Sequence, residues 1–130
     1  MGEIEKRIDI RWRDMDAFAH VNNAVYLTYL EEVRTEWIER ALGLPVETWD
    51  FVVARVAIDY RSPLRQADRW VEARCALGSI GNSSFRTREV LRASTGRLAA
   101  ESETVMIALA RDNGAPRPLT AEERRALEQF

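Results

Sequence analysis

The chain contains very little of what sulfur and metal chemistry require. Of its 130 residues one is a cysteine, Cys75, and one a histidine, His20. A lone cysteine excludes an internal disulfide and leads us to expect a reducing compartment, the cytoplasm. One histidine and one cysteine cannot assemble the usual zinc ligand sets, so no metal is expected. Long hydrophobic runs are missing too. The longest fall far short of the roughly 20 residues a membrane helix needs, so no membrane partner is expected. Met1 to Asp9 is charged and lacks the apolar centre of a signal peptide. There is no G-x-S-x-G segment for a serine hydrolase and no P-loop or dinucleotide fingerprint. No repeat, low-complexity stretch or second domain is visible.

Lysine is almost absent: Lys6 stands alone against eighteen arginines. Base composition could produce that bias by itself. Arginine is also the better bidentate partner for phosphate, so a phosphorylated ligand would meet arginine here. The net charge of −2 argues against a general nucleic-acid binder. With 46% hydrophobic residues, the chain reads as one domain, 1–130. A domain of that size buries roughly 65–70% of its unfolded surface without help from disulfides or metal.

The periodicity changes along the chain. Glu5 to Arg13 alternates as a strand, Ile8 and Ile10 against Arg7, Asp9 and Arg11. Asp14 to Asn22 reads as a loop. From Ala24 to Leu42, Tyr26, Leu30, Val33, Trp37 and Ala41 recur at helical spacing. Gly43 stops that helix and Pro45 prevents its resumption. A linker over Leu44 to Asp50 leads into strands. Val52, Ala54, Val56, Ile58 and Tyr60 are expected on one face, with Val53, Arg55, Ala57, Asp59 and Arg61 on the other. Ser62-Pro63 ends that run. Further strands are expected over Trp70–Ile80, Ser84–Ala93 and Leu98–Ala110, with turns at Gly81-Asn82, Thr95-Gly96 and Asn113-Gly114. Thr120 and Glu123 form a capping box for a short helix over Ala121–Gln129. Tight turns make the last three strands antiparallel neighbours. One long helix cannot cover both faces of five strands. The expected fold is α+β, a curved five-stranded antiparallel sheet wrapped around one long central helix, plus a short C-terminal helix.

The chemistry concentrates in Arg11-Trp12-Arg13-Asp14-Met15-Asp16-Ala17-Phe18-Ala19-His20-Val21-Asn22-Asn23. Two carboxylates end a strand, a short loop holds the only histidine, and two asparagines, either able to cap, open the helix. A carboxylate beside the positive end of a helix can support attack on a carbonyl. The free N–H groups of the first turn can hold the resulting oxyanion.

This order of elements, with Asp14-Met15-Asp16, His20-Val21-Asn22-Asn23, Tyr26 and Tyr29-Leu30-Glu31, resembles the hotdog-fold thioesterases. The resemblance is to the 4-hydroxybenzoyl-CoA thioesterase and bacterial acyl-CoA thioesterase group, and it spans essentially the whole chain. It implies a thioester hydrolase acting on acyl-CoA, or alternatively on an acyl-carrier protein, with coenzyme A part of the substrate and no other cofactor. A non-catalytic acyl-CoA binder is the further alternative. The family pattern maps its nucleophile or general base onto Asp16 and its oxyanion-binding amide onto the backbone N–H of Asn23. His20 takes a supporting position. Two departures stand out: Ala19 replaces a loop glycine common in that branch, and Phe18 stands where plant-type relatives carry an asparagine.

Asp14 is expected to be a solvated structural partner of Arg11 or Arg13. Tyr26, Tyr29 and Trp37 are expected in the core, and Cys75 on an apolar strand face is expected to pack rather than react. Arg61, Arg65, Arg86 and Arg88 are candidates for the phosphates of coenzyme A, with Ser83 and Ser84 as hydroxyl contacts. Long strands leave edges to be paired, so a homodimer or homotetramer is expected, with sites at the subunit boundary.

Overall fold

The computed structural model describes residues 2–130. Its elements are β1 (Glu3–Asp9), α1 (Asn23–Leu42), β2 (Phe51–Tyr60), β3 (Trp70–Ile80), β4 (Ser84–Ala93), β5 (Leu98–Ala108) and α2 (Ala121–Gln129). The strands form one antiparallel sheet in the order β1-β3-β4-β5-β2. The expected architecture is the one observed. β-Bulges interrupt the β2–β5, β3–β4 and β4–β5 pairings, and each adds local bend and twist to the sheet.

α1 starts where the sequence can cap it. Asn22 is the N-cap, its Oδ1 accepting from the Ala24 amide at 2.9 Å. At the other end Gly43 adopts φ +69°, a left-handed conformation glycine takes without a Cβ clash, and its N–H bonds Glu39 O. The expected stripe is buried in full: Tyr26, Leu30, Val33, Trp37 and Ala41 all lie in the core. They pack on β1, β3 and β4 and against α2, where Val71, Ala73, Phe85 and Leu91 close the other side. Trp37 also holds both chain ends. Its Nε1 donates to Gly2 O at 2.6 Å, and Phe130 meets its ring edge-on at 5.5 Å. The capping box of Thr120 and Glu123 opens α2 as expected.

Several details differ from expectation: β1 starts at Glu3 rather than Glu5, and β5 ends at Ala108 rather than Ala110. β1 ends at Asp9 rather than Arg13, because Ile10 N turns to Arg69 O and a 3-10 turn follows at Trp12–Asp14. In β2 the regular alternation fails. The register shifts between Val53 and Arg55, so Val53 pairs with Met106 and Val56 with Thr104. Met106 and Thr104 are both buried. Val53 and Val56 therefore share the helix-facing side, and Ala54 is the extra residue.

β2 forms one edge of the sheet, and α1 leans away from it. Val52, Val53 and Tyr60 remain 43–46% exposed.

Candidate active site

The loop between β1 and α1 is held at several points. Asp14 is 3% exposed. Its Oδ2 accepts from Tyr29 Oη at 2.6 Å and Arg11 N at 3.0 Å, and its Oδ1 from Arg11 Nη2 at 3.3 Å. Arg11 is the partner expected, but the carboxylate is buried rather than solvated, because Tyr29 reaches it from the helix. Burial raises its pKa; the hydrogen bonds from Tyr29 and Arg11, with the Arg11 charge, outweigh that and leave it lowered. Burial pushes the Tyr29 phenol well up, and its bond to Asp14 adds to the shift.

Asp14 O then accepts from Asn22 N at 2.9 Å, and Met15 and Val21 form an isolated bridge. These contacts fold the loop back on itself, so that Asp16 follows directly beside the residues that open α1. Asp16 N bonds His20 O at 2.9 Å, and Asp16 Oδ1 accepts from Phe18 N at 2.9 Å. The second oxygen of Asp16 makes no bond among the described residues. Ala19 closes the turn at φ +60°. A residue with a Cβ is strained there, at the position where the resemblance implies a glycine.

His20 is half-buried. Its backbone carbonyl braces Asp16, while its imidazole bonds nothing among the described residues. The Asn23 amide, the first of the helix, likewise has no partner among the described residues. Asn22 N, Ala24 N and Val25 N, by contrast, are all engaged. A free amide at a helix N-terminus is a preformed anion site.

Asp16 lines a cleft of about 640 Å³ with Trp12, Arg13, Met15, Ala17, Ala19 and Gln66. Trp12 is 83% exposed and Phe18 81%. Neither Trp12 nor Gln66 stands out in the sequence. Gln66 reaches the cleft because Val21 N bonds Leu64 O at 2.7 Å and its own Nε2 donates to Ile10 O at 3.3 Å, which hold the Ser62–Asp68 segment against the loop. Tyr26 Oη secures the same segment, donating to Ser62 O and accepting from Leu64 N. Arg97 adds bonds to Ser62 Oγ, Pro63 O and Asp68 Oδ2. Tyr26 and Tyr29 are thus core residues, as expected, with their hydroxyls bracing the site.

The phosphate candidates divide. Arg65 neighbours Gln66 at the cleft and has no carboxylate within ion-pair distance among the described residues. Arg61 pairs with Glu101 at 3.1 Å and Asp59 at 3.6 Å. Arg86 pairs with Glu103 at 2.6 Å. Arg86 and Arg88 alternate with buried Phe85, Thr87 and Glu89, so they occupy the sheet face turned away from α1. Ser83 and Ser84 lie at the far end of the sheet. Seven residues of β4 separate Ser84 from Leu91, the level of Tyr60 and the helix entrance, a span of about 24 Å. Within one chain they do not meet Asp16. Cys75 is buried beside Glu89, and burial first, then the Glu89 charge, raises its thiol pKa far above the usual range. It packs and does not act as a nucleophile.

Residues 10–127 match the Thioesterase-like superfamily. The chain belongs to that family. Long-chain acyl-CoA thioesterase FadM of Escherichia coli is 26% identical over 130 residues, covering 98% of each chain. A thioesterase from Thermus thermophilus, solved with coenzyme A and zinc, is 34% identical with a TM-score of 0.87. That match covers 96% of this chain and 91% of the other. A DHNA-CoA thioesterase from Staphylococcus aureus shares the fold at 17% identity and a TM-score of 0.86, covering 99% and 91%. The superfamily member described here is a thioester hydrolase with the hotdog fold. Among its described residues no three His, Cys, Asp or Glu side chains gather into a metal-binding group.

Proposed function

We propose that this thioesterase hydrolyses acyl-CoA to a free acid and coenzyme A, with Asp16 as nucleophile or general base. The observation that carries the reading is the pairing of two free groups. One is an Asp16 oxygen in a ligand-sized cleft; the other is the Asn23 amide at the adjoining helix N-terminus. The acyl-CoA thioesterase FadM and the coenzyme A complex of the Thermus relative support the choice of coenzyme A.

In this reading the Asn23 N–H polarises the thioester carbonyl and holds the oxyanion. Asp16 attacks the carbonyl carbon, the C–S bond breaks, and a mixed anhydride forms that water then hydrolyses. In the other route Asp16 takes a proton from water, whose oxygen attacks instead. Both routes release a thiolate, a good leaving group, so no strong general acid is required. The imidazole of His20, bonded to no protein group, is available to the attacking water. Arg65, next in sequence to the cleft residue Gln66, would meet a phosphate in this reading. Ser83 and Ser84 would approach from a second chain in a homodimer, whereas Arg61 adjoins Tyr60 near its own chain's helix entrance and Arg86 and Arg88 stay on the sheet face turned away from α1. The open edge of β2 supports that assembly.

The test is a thiol-release screen over short, medium, long and aromatic acyl-CoAs, with an acyl-carrier protein thioester as a separate arm. Turnover of acyl-CoA that disappears in Asp16→Asn supports the reading. Turnover confined to the carrier-protein ester, or binding of coenzyme A esters without hydrolysis, overturns it.

A further inference from the structure

A polar cluster sits inside the hydrophobic core. Glu89 on β4 is 1% exposed and Arg34 on α1 is 6% exposed. Arg34 Nη1 stands 3.7 Å from Glu89 Oε1 and donates to Thr104 Oγ1 at 3.2 Å. Ser102 and Thr104 donate to the same Glu89 oxygen at 2.6 and 2.8 Å, and Thr87 donates to the other. Such a pair is costly to bury unless its hydrogen bonds are complete. For Glu89 they are.

For Arg34 they are not. Its Nε and Nη2 bond no protein atom among the described residues. Yet no fully buried side-chain nitrogen or oxygen there lacks a partner, so these two nitrogens reach solvent. They reach it in a groove of about 240 Å³ between α1 and β2, lined by Leu27, Thr28, Glu31, Arg34, Val53 and Val56.

That groove runs along the helix beyond its entrance: its lining begins at Leu27, one turn from Asn23, and shares no residue with the Asp16 cleft. Asn23, Leu27, Glu31 and Arg34 fall on one stripe of the helix, at i, i+4, i+8 and i+11. Tyr60 marks the entrance, its hydroxyl donating to Asn23 O at 2.9 Å. Thr104, which Arg34 contacts, pairs with Val56, four residues back along β2. The two levels are about 14 Å apart.

We infer that this groove receives the acyl group and that Arg34 ends it, selecting acyl chains with an oxygen at the far end over plain alkyl chains of equal length. The inference rests on the proposed placement of the thioester at Asn23. Arg34 can only donate, so the tail must accept. Glu31 lines the same groove and Glu89 already balances the Arg34 charge, which disfavours an anionic tail and leaves a neutral oxygen such as a terminal hydroxyl. An alkyl tail would strip water from these two free nitrogens and return nothing. That loss is worth roughly tenfold in rate or more.

The test compares kcat/KM on two acyl-CoAs of equal, medium length, one bearing a terminal hydroxyl. Wild type should favour the hydroxylated ester by about tenfold. The double variant Arg34→Met with Glu89→Gln removes both charges together and strands neither. It should lose the preference by gaining on the alkyl ester. Arg34→Lys keeps a cation on Glu89, lacks the second donor group and should lose most of the preference while remaining folded. Equal rates on the two esters in wild type would overturn the inference. So would an undiminished preference in either folded variant, or a change of oligomeric state with no change in preference. Failure to hydrolyse any ester would overturn the thioesterase reading and this inference with it, so the two failures look different.

Discussion

Tyr29 on α1 donates its phenol to the buried carboxylate of Asp14 at 2.6 Å, across 15 residues of chain. This bond ties the turn before the reactive loop to the helix after it. It also divides the labour of the two aspartates. Asp14 spends its oxygens on Tyr29 and Arg11 and holds the loop; Asp16, two residues on, keeps an oxygen free for chemistry.

The first prediction concerns Asp14→Asn. Its charged form is favoured by the folded state, so its folded pKa lies below the unfolded value. A depressed carboxylate contributes stability that is present above the unfolded pKa and is lost as pH falls through the folded one. Asp14→Asn should therefore cost about 1–3 kcal/mol at neutral pH. Its deficit should shrink as pH drops below about 4. Urea unfolding at several pH values reads this out; a deficit independent of pH would show that the charge plays no part.

Asp16→Asn should fold as wild type does, because Asp16 is only partly buried and its bond to Phe18 N needs an acceptor oxygen that asparagine retains. Its thioester hydrolysis should fall by at least about 10²-fold, the usual effect of removing a base or nucleophile. Thermal unfolding and steady-state thiol release are measured side by side. A folded variant with near wild-type turnover removes Asp16 from the mechanism.

His20→Ala should be milder. The residue braces Asp16 through its backbone carbonyl, which alanine keeps, and thiolate departure needs little protonation. Partial activity should survive. Losses equal to those of Asp16→Asn, with both proteins folded, would place the imidazole in direct contact with the reacting atoms.

Much of this was readable from residue spacing. The stripe from Tyr26 to Ala41 repeats at helical period, and all five members are buried. The asparagine pair marks the helix entrance and Gly43 its end. The β2 bulge left no trace, since an inserted residue changes the faces without changing the composition. Only pairing with Met106 and Thr104 reveals that Val53 and Val56 look the same way. Glu89 did leave a trace: a charge alternating with Phe85, Thr87 and Leu91 on a core-facing strand. Its partner was hidden, because Arg34 comes from another element 55 positions earlier. The cleft wall at Gln66 was unreadable for the same reason, being made by long-range hydrogen bonds.

Ala19 offers a test of backbone strain. At φ +60° the Cβ costs about 1–2 kcal/mol, while glycine would lose about 0.4–1 kcal/mol through unfolded-state entropy. Ala19→Gly should thus stabilise the protein, by at most about 1.5 kcal/mol, with hydrolysis little changed. A clear loss of stability in urea would mean that the loop relaxes to another conformation.

The last prediction is a homodimer whose sites are shared between chains. β2 presents an unpaired backbone edge with Val52, Val53 and Tyr60 exposed. Such an edge is normally covered. Antiparallel pairing of β2 with its own copy about a two-fold axis would extend the sheet and set the Phe51 end of one chain beside the Tyr60 end of the other. Ser84 lies at the Phe51 end, its neighbour Ile107 pairing with Val52. The serines that stand far from Asp16 within one chain would then approach the helix entrance of the partner. Arg88, level with Glu103 and Ala57 near the middle of β2, stays on the face opposite α1 under this pairing, so it meets a coenzyme A phosphate only where the bound ligand crosses to that face. Sedimentation should give twice the chain mass, and a fully active monomer at assay concentration would refute the shared site. A sharper experiment mixes two inactive proteins, Asp16→Asn and Arg88→Glu. If both groups serve one site from opposite chains, mixed dimers regain one working site of two. Verified subunit exchange without recovered activity would leave Asp16 and Arg88 serving different sites.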